Sequence, residues 1–270
     1  MKVNKILVVF DPTTDTQIAL ERAALIAKHE GSEIFLFSCI HSKLPKSADK
    51  KVEIGRLMSA QSDILAAAIK PLIEAGIQVT TEIKWKKDWY EAVVKASVRS
   101  GADAVIKASH SHSATQRLFK NTSDWTLIRQ CDCPVLLVKQ RPTGEGRKVL
   151  AAVNMRGDKD SYEAINTNIL EFCKRYTEAD TAEVHFLNAH VDLSSRPDRG
   201  SMIRACGVAS DYVHIKMGEP SKVIVECADE LGANLVVIGN SARTGLAAAV
   251  NSNTAERVVD ELKCDLLVIP

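Results

Sequence analysis

Short apolar runs of strand length alternate along this chain with segments whose apolar residues recur every three or four positions. KILVVF at 5–10 is the first such run, and the turn at Asp11-Pro12 ends it. From about Asp15 to His29, the residues Ile18, Leu20, Ala23, Ala24, Ile26 and Ala27 share one helical face, and Gly31 stops the helix. The same reading predicts strands at 34–40, 79–85, 104–108 and 135–139, with helices near 50–75, 89–100 and 124–130. The order then begins again. Strands are predicted at 149–153, 183–189, 212–216, 234–238 and 265–269, with helices at 161–176, 221–231 and 253–262.

RSGADAVIKA (99–108) lies over ELGANLVVIG (230–239), and CPVLLVK (133–139) over CDLLVIP (264–270), at one offset of 131 residues. A shared offset over such a length marks a duplication. It predicts a first domain at 1–140, a linker at 141–148 containing Pro142 and two glycines, and a second domain at 149–270. Apolar strands separated by helices imply an α/β fold, each domain a five-stranded parallel sheet flanked by helices. Ligands of such sheets bind beyond the carboxyl ends of the strands, where the strand order reverses. The halves differ between strands two and three. The second half has room there for no full helix, and SSRPDRG (194–200) lies in the gap, so an open or partly disordered flank is expected.

Composition adds little beyond exclusions. Lysine plus arginine (35) balances aspartate plus glutamate (34), so no global field gathers nucleic acid or anionic lipid. No apolar run approaches the roughly 20 residues that span a bilayer. Seven scattered cysteines, mostly in apolar stretches, suit buried thiols, and a soluble cytoplasmic protein is expected. Cys131 and Cys133 lack the C-x-x-C spacing and read as packing residues. Trp85, Trp89 and Trp125 line either an apolar pocket or a packed core. No nucleophile–base motif indicates a dedicated hydrolytic site.

Two loops carry candidate chemistry. Ser109-His110-Ser111-His112 follows the fourth strand of the first half. His110 and His112, with Asp11 and His41 after strands one and two, make a candidate zinc site, and the alternative is a solvated polar loop. The second half has IGNSARTGLAAAVNSNTAERVV (238–259) after its fourth strand.

Here the chain resembles the universal stress proteins, whose ATP-binding domains carry G-x2-G-x9-G-S/T at this place. The signature falls on Gly239, Ala242, Ser252 and Asn253, so the spacing survives while two of three glycines do not. Glycines in such loops let backbone N–H groups approach phosphates at a helix N-terminus. Arg243 and Thr254 are further phosphate candidates, Gly218-Glu219-Pro220 matches the family's Gly-Asp-Pro turn, and Asn154 replaces the acidic residue that ends strand one. In the first half, Ala108, Ser111, Asn121 and Thr122 hold the same steps, with no glycine. VVFDP (8–12), NTSDWTLIRQCDCPVLLVK (121–139) and RTGLAAAVNSNTAERVVDELKCDLLVI (243–269) extend the resemblance to the tandem E group of that family. It implies two tandem Usp-type domains of the nucleotide α-hydrolase-like class and a role in stress response through ligand or partner binding. It also implies ATP or AMP in the second domain and at most weak ATP hydrolysis. An internal pseudo-dimer through paired fifth strands is expected, homodimerisation and protein partners are left open, and the alternative is a small-molecule or metal carrier that takes no nucleotide.

Overall fold

The computed structural model describes residues 3–44, 49–109, 123–141, 147–155, 160–178, 182–240 and 254–270. They fall into two compact units, one of residues 3–109 and 123–141 and the other of residues 147–270.

The first unit runs β1 (Lys5–Phe10), α1 (Ile18–Glu30), β2 (Glu33–Ile40), α2 (Lys50–Glu74), β3 (Val79–Trp85), α3 (Trp89–Ser100), β4 (Ala104–Ala108), α4 (Ser123–Gln130) and β5 (Val135–Val138). Its strands are parallel in the order β3-β2-β1-β4-β5. The second unit runs β6 (Arg147–Ala152), α5 (Asp160–Glu178), β7 (Ala182–His190), a 3-10 turn at Leu193–Ser195, α6 (Arg199–Cys206), a 3-10 turn at Ser210–Tyr212, β8 (Val213–Met217), α7 (Pro220–Leu231), β9 (Leu235–Gly239), α8 (Thr254–Glu261) and β10 (Asp265–Ile269). It repeats the same parallel order, β8-β7-β6-β9-β10. In each unit the order reverses beside the first strand, between β1 and β4 and between β6 and β9.

The central strands are apolar because helices cover both faces. Ile6, Val8, Ile34, Leu36 and Ile106 meet Ala19, Leu20, Ala23 and Leu65 in one core. α1 ends at Gly31, whose φ of 74° lies in the left-handed region that glycine enters without a Cβ penalty. α7 starts on Glu219, which accepts the Lys222 N–H, with Pro220 in its first turn.

Three expectations are corrected. α1 starts at Ile18, not near Asp15, because the Gln17 amide occupies the preceding loop: it donates to the carbonyls of Asp11 (2.8 Å) and Thr14 (2.6 Å) and accepts the Asp11 N–H (3.1 Å). β6 starts at Arg147, so the last residues assigned to the linker belong to a strand. The flank around 191–211 is neither open nor unstructured. Asp192 caps the first 3-10 turn, and Asp198 accepts both the N–H and the hydroxyl of Ser201 to start α6. A capped 3-10 turn, a capped eight-residue helix and a second 3-10 turn thus stand where the first unit has its long helix. Among the described residues, no helix is long and apolar enough to cross a membrane.

Candidate functional site

The carboxyl ends of β6, β7 and β9 surround a cavity of about 260 Å³ in the second unit. Its wall is largely aliphatic, with Ile165, Ile169, Leu187, Ile224 and Ile238, and its polar groups are Asn154, Tyr162, Asn166, His190 and Thr254. An apolar cleft with a few convergent polar groups at a reversal of strand order is the usual form of a small-molecule site in this architecture.

Three of these groups, Asn154, Asn166 and His190, are held by hydrogen bonds to the backbone or from it. Asn166, on α5, exchanges a reciprocal pair of hydrogen bonds with the backbone of Asn154: Asn154 N–H donates to Oδ1 (3.0 Å), and Nδ2 donates to the Asn154 carbonyl (2.7 Å). This fixes the loop after β6 as Gln17 fixes the loop after β1. Asn188, buried in β7, donates to the carbonyl of Val153 at 3.0 Å and ties that strand to the same loop. Nδ1 of His190 bonds the carbonyl of Asp192 at 2.9 Å, which orients the ring at the end of β7.

Of the residues that the sequence marked, Asn154, Gly239 and Thr254 line the cavity. Gly218 stands at its edge, just before the lining residue Pro220. Its N–H bonds the carbonyl of His190 at 2.9 Å, and its φ of 152°, with Cγ2 of Val223 only 2.7 Å from where a Cβ would be, requires glycine. Gly239 is glycine for a packing reason as well as any ligand. A Cβ there would lie 2.0 Å from Cγ2 of Ile165, so α5 approaches the strand end as closely as a bare backbone allows. Ala242, Arg243, Ser252 and Asn253 lie outside the described residues.

The metal candidates divide the same way. His110 and His112 lie outside the described residues. Asp11 Oδ1 accepts both the N–H and the hydroxyl of Thr13 (2.9 and 2.6 Å), and His41 packs against Trp85 at 5.6 Å. Among the described residues no group of three metal-binding side chains stands together. Burial raises the thiols of Cys133, Cys173 and Cys206 to about 12, so they are protonated and unreactive near neutral pH.

At the offset of 131, the cavity residues Pro220, Ile224, Ile238 and Gly239 correspond to Trp89, Val93, Lys107 and Ala108 of the first unit. There the chemistry is different. Lys107 Nζ pairs with the buried carboxylate of Asp124 (2.8 Å), donates to the carbonyl of Ala108 (2.6 Å), and sits 5.5 Å from the centre of the Trp89 ring. Asp124 also accepts the Ser109 hydroxyl at 2.6 Å. In the second unit, Ile238 and the buried Ala255 stand where Lys107 and Asp124 stand in the first. Sequence reasoning did not find this ion pair, nor the roles of Asn166, Tyr162 and His190.

The model of the Universal stress protein family matches residues 2–139 and 204–270, more than half of the chain. The chain belongs to the universal stress protein family. Over 97% of its length it is 31% identical to Universal stress protein E of Escherichia coli K12, covering 92% of that relative. It is 30% identical to Universal stress protein E of Photorhabdus laumondii, with 98% of this chain and 94% of that one covered. Among solved structures, a putative universal stress protein from Pseudomonas aeruginosa UCBPP-PA14 is similar over 99% of this chain and 93% of its own, at 27% identity and a TM-score of 0.76. The Usp-type α/β fold expected from the sequence is thus the fold of this chain.

Proposed function

We propose that this universal stress protein serves the stress response by binding, with ATP or AMP held in the cavity of the second unit and none in the first. One observation carries the reading: Gly239 and Thr254, at and next to the family's nucleotide signature, meet Asn154, the residue that ends the first strand of this unit, around a single cavity where the strand order reverses. The aliphatic wall suits the face of a heterocycle. The volume, a little below the ~300 Å³ at which drug-sized sites begin, suits one ring system, with the phosphates directed toward the first turn of α8.

The first unit offers the opposite. Its corresponding steps hold a tryptophan and a buried ion pair, with the Asp124 carboxylate of that pair in the first turn of α4. The family resemblance and the near-neutral composition support a cytoplasmic site of action.

Mass spectrometry of the small molecules released on denaturing the purified full chain tests this. Adenine nucleotide is expected in the released fraction. Its absence, together with no binding at millimolar ATP, would reject the nucleotide reading and favour a carrier of another small molecule.

A further inference from the structure

β7 reads AEVHFLNAH, and a strand covered by helices on both faces has little reason to hold a histidine at its middle. His185 is buried there, 6% exposed, and its two ring nitrogens are both engaged. Nε2 lies 2.7 Å from Oε1 of Glu183, and Nδ1 lies 2.9 Å from Nε2 of His214 on β8, with the rings stacked at 29° and 5.1 Å between centroids. Tyr212, which precedes β8, packs its ring 5.2 Å from His185. The carboxylate of Glu183 can only accept, so His185 Nε2 carries a proton. That leaves room for a single proton between the two imidazoles.

We propose that the His185–His214 pair is a proton-operated latch that holds the outer strand β8 on β7 and, through it, the Gly218–Pro220 turn at the rim of the cavity. With both rings neutral, His214 donates to His185. With one proton added, His185 donates to His214 and remains bonded to Glu183. A second proton sets N–H against N–H between two cations, and the link fails. The second proton is therefore the one that opens the link.

The surroundings oppose that second proton at neutral pH. Burial first, then His185, Lys216 and Arg199 hold His214 below the ordinary imidazole value of 6.5, while Glu230 pulls the other way. Lys148 stands 3.6 Å from Glu183 on the far side of the chain of contacts. A histidine depressed in the folded state contributes stability that is complete above its unfolded value and is lost as pH falls through the folded one. The His185 hydrogen bond holds Glu183 below its ordinary 4.5, so that carboxylate is lost only in a lower window and does not mask the first. β8 pairs only with β7 among the described strands, and the backbone bond from Gly218 to His190 continues the same seam.

Hydrogen–deuterium exchange of the full chain at about pH 7.5 and about pH 5.5, corrected for intrinsic chemical exchange, tests the latch. Segment 213–223 is expected to lose protection by at least about ten-fold relative to β6 and β9 on acidification, one pKa unit's equivalent. His214→Gln keeps an N–H for His185 but cannot take a proton, so its protection is expected to be equal at both pH values. Uniform behaviour of all strands in the wild type, or a His214→Gln protein that loses protection as the wild type does, would overturn the proposal. Should that variant not fold, the Cε1–H resonance of His214 in the wild type decides. A transition in the pH range where segment 213–223 loses protection supports the latch, and one outside that range rejects it.

Discussion

Asp124→Ala is expected to destabilise the first unit by about 3–5 kcal/mol, the usual cost of leaving one member of a buried ion pair alone. The Asp124 side chain is 1% exposed and that of Lys107 15%, so water compensates neither when the other is removed. After the substitution the ammonium keeps only the Ala108 carbonyl and the face of Trp89, and the Ser109 hydroxyl loses its acceptor. The pair as a whole is a different matter. Desolvation of two charges offsets much of their attraction, so Lys107→Met with Asp124→Leu should recover most of the loss. Urea denaturation followed by tryptophan fluorescence reads this unit alone, since Trp85, Trp89 and Trp125 all belong to it. A single variant within about 0.5 kcal/mol of the wild type, as at an ordinary surface position, would contradict the burial argument.

Gly239→Ala is expected to cost about 1–3 kcal/mol, the range for forcing extra volume into a packed site. The new methyl would meet Cγ2 of Ile165 at 2.0 Å and Cδ1 of Ile169 at 3.5 Å. Ile165 is β-branched on a helix and has one strongly preferred χ1, so it cannot swing aside, and α5 must move instead. In an Ile165→Ala background the clashing atom is gone. The same glycine substitution should then be close to neutral, and the difference measures the coupling directly. Equal cost in both backgrounds would show that Gly239 serves something other than helix packing. Because Ile165 also lines the cavity, any shift of α5 reaches the site.

Much of the fold was readable from one pattern. β1, β3, α3, β4 and β10 begin and end where the sequence places them, and for β1, β4 and β10 the reason is that strands buried on both faces must be largely apolar. The errors arose where side chains, not periodicity, set the boundary. Gln17 holds the turn after Asp11 and delays α1, and the Asp192 and Asp198 caps organise a segment that looked too short for a full helix. The cavity was legible where family features fall among the described residues, at Asn154 after the first strand and at Gly239 and Thr254 in and beside the signature. Its remaining polar wall was not, since Asn166 and Tyr162 sit on a helix with no motif of their own. A usable signal was present in β7, where the polar residues His185, Asn188 and His190 interrupt the apolar run of a largely buried strand. Buried polar residues in a parallel strand need partners, and here the partners are the cavity loop and the edge strand.

The proposed division of labour rests on where two copies of one scaffold differ. At matching steps the second unit has Ile238 and Ala255, which leave a cavity, and the first has Lys107 and Asp124, which form an ion pair. Isothermal titration of the full chain with ATP and with AMP tests this division most directly. It predicts one nucleotide bound per chain; two per chain, or none, would contradict it.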